Sequence, residues 1–92
     1  MHVLIVEDEK KMAELLKRGL EEENHSVSLA HDGRDALEMA QAFDYDVIVL
    51  NVMLHGNDGL EVMRRLRETG NKTPILVISS GMLEARTRAN DE

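Results

Sequence analysis

The stretch DVIVLNVMLHGNDG, Asp46 to Gly59, sets an uninterrupted apolar run against a polar loop that holds Gly56 and Gly59. A strand with one wet face alternates apolar and polar residues, whereas a strand buried on both faces reads as a continuous apolar run. Val47–Leu50 is of the second kind and points to a parallel sheet with helices on both sides. The run gives way to loop at Asn51, so an uncharged amide stands where such a sheet usually places its chemistry.

Working outward, the same strand-then-helix unit recurs. His2–Val6 is apolar and β-branched. Lys10–Glu23 then sets Met12, Leu15, Leu16 and Leu20 at helical spacing, with Glu14/Arg18 and Lys17/Glu21 as i,i+4 pairs. Ser26–Ala30 reads as a short strand, and Asp32-Gly33 opens a helix that runs through Phe43. After the central run, Asp58 is placed to cap a third helix, with Glu61 three residues on. Leu60, Met63 and Leu66 form its inner face and Gly70 its end before Pro74. Ile75–Ile78 is the fourth strand. Residues 79–92 contain only Met82 and Leu83 as large apolar residues and read as a short or fraying helix. Strict alternation implies right-handed βαβ crossovers and an open parallel α/β sheet. The loops after the first, third and fourth strands then meet at one edge, bringing together Glu7-Asp8, Asn51–Asp58 and Ser79-Ser80.

Composition narrows the function. Ninety-two residues make one small domain, 1–92, and no apolar stretch approaches a membrane span. The apolar run Val3–Val6 is too short for a secretory signal, which gives a cytoplasmic address. The absence of cysteine excludes disulfides and thiolate metal sites, and a net charge of -7 argues against nucleic acid as a direct partner.

Glu7 and Asp8 suit a hard cation that keeps several waters, but acids before a helix also complement its dipole. An Asp at position 51 could ligate metal and attack phosphorus; Asn51 has no carboxylate to do either. Ser79 offers a hydroxyl to an anion or a plain helix cap. The four histidines, His2, His25, His31 and His55, have no i,i+3 or i,i+4 partner and mark no zinc site. His55 and Asn57 lie in the loop, where a solvated tip is the simpler reading. Arg64, Arg65 and Arg67 read as the solvated face of the third helix or a surface for an acidic partner.

The segments VLIVEDE, DVIVLNVMLHGNDGLEVMRRLR and TPILVISS closely resemble the receiver domain of bacterial two-component response regulators, the OmpR/PhoB-like class above all. The resemblance covers nearly the whole chain. It implies a flavodoxin-like fold of strand order 2-1-3-4. It also implies a magnesium site built from Glu7, Asp8, the residue at 51 and the carbonyl of Met53, with Ser79 as the phosphoryl contact. Three departures stand out. The acceptor Asp is Asn51, the loop Pro is His55, and the fifth strand with its Lys and aromatic switch residue, together with the fifth helix, would fall beyond Glu92.

The resulting expectation is a degenerate or truncated receiver, not an enzyme, that acts as a phosphorylation-independent interaction module. It requires no cofactor and binds magnesium weakly. Its expected partners are itself, as a homodimer, and a histidine kinase or another receiver. A bare fourth-strand edge and one stripped sheet face make Ile75, Val77, Leu15 and Leu16 the dimer candidates. The rivals are a receiver that still accepts phosphate and a minimal fold fragment without a cellular role.

Overall fold

The computed structural model describes residues 1–51, 58–79 and 84–87. Four strands, β1 (His2–Val6), β2 (Ser26–Ala30), β3 (Val47–Asn51) and β4 (Ile75–Ser79), alternate with helices α1 (Lys10–Glu22), α2 (Gly33–Ala42) and α3 (Asp58–Glu68). They form a parallel sheet in the expected order 2-1-3-4.

Helix ends follow local chemistry. The Asp32 side chain accepts from the Asp35 N–H at 2.8 Å and caps α2. Asn24 (φ 72°) and Gly70 (φ 87°) take the left-handed conformation that ends a helix. In each case the next residue donates back to the helix, His25 N–H to Leu20 O and Asn71 N–H to Leu66 O, both at 3.1 Å. Two C-terminal carbonyls are thereby satisfied, and the chain is turned straight into the following strand or its approach.

Strand alternation divides the core. On one face Leu4, Val6, Ile48, Leu50 and Ile75 meet Ala36 and Ala40 of α2 and Val62 and Leu66 of α3. On the other, among the described residues, Val3, Ile5 and Val49 pack with Leu16 and Leu20 of α1 and with Val27 and Leu29 of β2, and Val47, Leu76 and Ile78 stay half-buried. Gly33 is needed at the α2–α3 contact, because a Cβ there would lie 2.5 Å from Val62 Cγ2.

Several expectations need correction. Leu15 is 63% exposed and Met12 37%; the buried residue of α1 is Ala13, because a helix lying close on a sheet needs a small side chain at the contact. Leu60 is likewise 57% exposed, and Val62 takes the inner position. The expected C-terminal helix is absent from the described residues of that segment. Instead β5 (Glu84–Thr87) pairs antiparallel with β4, from Ser79↔Glu84 to Leu76↔Thr87. The edge of β4 is therefore not bare, because its exposed N–H and C=O groups recruit a strand from the same chain. Ile75 is fully buried under α3, and Val77, half-buried, packs on the same side.

Candidate functional site

Strand register builds the site. Val6 pairs with Leu50, so the next residue of each chain path, Glu7 and Asn51, come side by side at the C-terminal edge of the sheet. Asn51 in turn pairs with Ile78, which brings residue 79 to the same level. Glu7 keeps its backbone in line by donating to Ala30 O at 2.9 Å. Residues distant in sequence thus reach one edge by pairing alone.

Glu7 is 3% exposed and Asn51 7%, whereas Asp8 is exposed. A buried carboxylate needs its charge answered by donors or cations. Both oxygens of Glu7 are answered by N–H groups: Asn51 Nδ2 donates to Oε1 at 2.5 Å, and the Glu9 backbone N–H donates to Oε2 at 3.1 Å. The first is a charge-assisted bond and gives the amide its orientation, since only the nitrogen can face a carboxylate. Glu9 precedes α1 and takes no side-chain cap of its own, so Glu7 ties the helix start to the sheet edge.

The donor set does not suit a resident divalent cation. Glu7 and Asp8 supply two acids, the third position is an amide whose hydrogens face Glu7, and no group of three or more His, Cys, Asp or Glu converges among the described residues. Met53, the implied carbonyl ligand, lies outside the described residues, as do His55 and Asn57. Ser79 ends β4, where its backbone pairs with Glu84.

The basic cluster divides in two. Arg64 and Arg65 are exposed and pair with Glu61, and Arg64 also reaches Glu68. The Arg64 and Arg65 guanidinium groups hold the Glu61 carboxyl below its usual range, and Glu61 in turn pushes Arg64 up. Arg67 is not part of a solvated face as expected. Its Nη1 donates to Asn71 O and Thr73 O, both at 2.9 Å, and burial lowers its pKa. This residue braces the turn that delivers β4. The sequence signal that could have marked it is its place in the last turn of a helix, where a cation can reach free carbonyls.

An open parallel sheet of this order, with polar residues gathered at the C-terminal ends of β1 and β3, is the arrangement of a receiver domain, and Asn51 is its departure. The chain belongs to the response regulator receiver domain family, which it matches over residues 3–91. It is 46% identical over 79 residues to the uncharacterized transcriptional regulatory protein YkoG of Bacillus subtilis (strain 168), covering 86% of this chain and 35% of that protein. Among solved structures, the Francisella response regulator 1452 receiver domain superposes with a TM-score of 0.80 at 33% identity, covering 88% of this chain and 67% of that one. The Thermotoga maritima response regulator TrrA, in a crystal structure with the histidine kinase ThkA, gives a TM-score of 0.78 at 32% identity, with 86% and 68% covered. The chain spans about a third of the length of the curated relatives it matches, 35% for YkoG. Among the described residues, no helix is long and apolar enough to cross a membrane.

Proposed function

We propose that this receiver acts as an interaction module of two-component signalling without being phosphorylated itself, and that it associates with its own kind. The observation that carries the reading is Asn51. The family resemblance implies an acceptor carboxylate at this position, and here an amide donates to Glu7 at 2.5 Å. An amide oxygen is a poor nucleophile, and its nitrogen is already engaged in a hydrogen bond, so no phosphoryl acceptor is offered. We assign no reaction to the chain.

The partners follow from the surfaces. TrrA is seen with a histidine kinase, which supports a kinase or another receiver as partner here. Self-association rests on the thinly covered α1 face, where Leu76, Ile78 and Val47 are half-buried on either side of Val49. That face replaces Ile75 and Val77 as the candidate contact, because alternation along β4 sends those two to the opposite side. Burying about 400 Å² of such surface is worth on the order of 10 kcal/mol and so offsets an association cost of similar size. The net charge of -7 speaks against nucleic acid, and kinship to transcriptional regulatory proteins supports a cytoplasmic place.

The test is incubation with magnesium and a small-molecule phosphodonor, read by intact mass, alongside light scattering over a range of protein concentration. The expected result is an unchanged mass and a concentration-dependent dimer. A phosphoryl adduct would overturn phosphorylation independence, and a folded monomer at high micromolar concentration would overturn self-association.

A further inference from the structure

Glu7 is a buried acid whose charge has to be compensated, and the described structure shows by what. Both carboxylate oxygens accept from N–H groups of the chain itself, Asn51 Nδ2 on one and Glu9 N on the other. We infer that the Asn51 side-chain amide takes the place of the divalent cation at this edge, so that Glu7 is held closed by the protein's own donors and the domain does not respond to magnesium. The inference rests on the reading of a receiver that is not phosphorylated, and it goes further by assigning the charge-neutralising role to a named side chain.

The geometry leaves little room for an ion. A magnesium ion needs oxygen ligands at about 2.0–2.1 Å in a near-octahedral set. One lone pair of Glu7 Oε1 is taken by the Asn51 N–H, whose hydrogen bears the same sign of charge as the ion and repels it from that oxygen. Binding would have to break that bond and turn the amide to present its oxygen, and the NH2 group would then need another acceptor. What remains are two acids instead of three, one of them exposed. Each of these changes weakens the cation site, and they act together.

The experiment titrates magnesium chloride into the full chain against sodium chloride of matched ionic strength. The probes are the Asn51 side-chain NH2 resonances, the backbone amides of Glu7, Asp8 and Glu9, and the melting temperature. The same titration is run on Asn51→Asp. For the natural chain the expected result is no shift beyond the salt control up to about 10 mM magnesium, and an Asn51 NH2 signal that stays in place. For Asn51→Asp, saturable shifts at Asp8 and Glu9 are expected, with an affinity at least about a hundredfold tighter than any in the natural chain.

Saturable, magnesium-specific movement of the Asn51 NH2 signal in the natural chain would overturn the inference. So would an Asn51→Asp protein that ignores magnesium, since the amide would then not be what replaces the ion. If Asn51→Asp is unfolded without metal, recovery of its structure on adding magnesium supports the inference and failure to recover counts against it, while the natural chain's titration stands independently. A magnesium response with no phosphoryl adduct sinks this inference alone. An adduct on the natural chain sinks the reading beneath it.

Discussion

Replacing Asn51 by Asp exchanges an NH2 group, with both its N–H donors, for a charged oxygen, and the structure sets the size of the penalty. In the natural chain the amide donates to Glu7 at 2.5 Å with both side chains buried, 7% and 3% exposed. A hydrogen bond to a charged group contributes about 1.5–3 kcal/mol, and Asn51→Asp forfeits it while both acids are ionised. Two like charges relaxed to about 4 Å at an effective dielectric of about 20 add roughly 4 kcal/mol of repulsion. Proton uptake limits the total. An ordinary carboxyl titrates near pH 4, so protonating one of the pair at pH 7 costs about 4 kcal/mol, and the resulting O–H restores a hydrogen bond across the gap.

Asn51→Asp should therefore lose about 2–4 kcal/mol at pH 7 in the presence of a chelator, a large share of a small domain's stability. The sign of the pH dependence follows. A pair that holds one proton above the unfolded carboxyl range favours the folded state at low pH and loses that advantage as pH rises, so the deficit shrinks to roughly 1.4 kcal/mol or less at pH 5. Urea unfolding of both proteins at the two pH values measures this directly. Equal stability at pH 7, or a deficit that does not change with pH, would refute the account of the Glu7–Asn51 contact. Asn51→Ala is the control: it loses the hydrogen bond without adding charge, so its deficit lacks the proton-sharing component.

Gly33→Ala should cost about 1–3 kcal/mol by urea unfolding despite alanine's better helix propensity, since its Cβ would meet Val62 Cγ2 at 2.5 Å, and Val62→Ala in the same chain should recover part of that loss; simple additivity would argue against the contact. Ile75→Ala should destabilise by about 2–5 kcal/mol because the residue is fully buried, whereas Ile78→Lys should leave a folded chain whose dimer, by light scattering, is weakened. Glu61→Gln should lower stability at pH 7, and the difference should vanish in acid: the depressed Glu61 pKa contributes stability that is present above the unfolded carboxyl range and lost as pH falls through the folded value. Urea unfolding of the two proteins at neutral and acid pH checks this.

β1, β3 and β4 were readable because burial on both faces demands continuous apolar runs, whereas β2, the edge strand, alternates as SVSLA. Helix faces were read less well. Spacing alone admits Leu15 and Leu60, yet these are exposed while Ala13 and Val62 are buried beside the expected Leu16, Leu20 and Leu66, and a small side chain such as Ala13 carries little pattern signal. The segment Glu84–Thr87 has no strand-like apolar run; its conformation comes from the open edge of β4, a non-local cause invisible in four residues. The candidate site was half legible. Glu7, Asp8 and Asn51 could be named from the strand ends, but the bond between Glu7 and Asn51 spans 44 residues and exists only through the register of β1 with β3. The Glu9 amide that completes it is backbone and leaves no mark in a sequence.

The most direct measurement is a high-resolution crystal structure of the chain grown in magnesium with a beryllofluoride phosphoryl mimic. An Asn51 nitrogen on Glu7, a Glu9 N–H on the other oxygen and no metal ion beside Asp8 is the expected result. An octahedral ion at about 2.0–2.1 Å from Glu7 and Asp8, with the Asn51 amide turned to offer its oxygen, would contradict the claim that this receiver closes its own acid site.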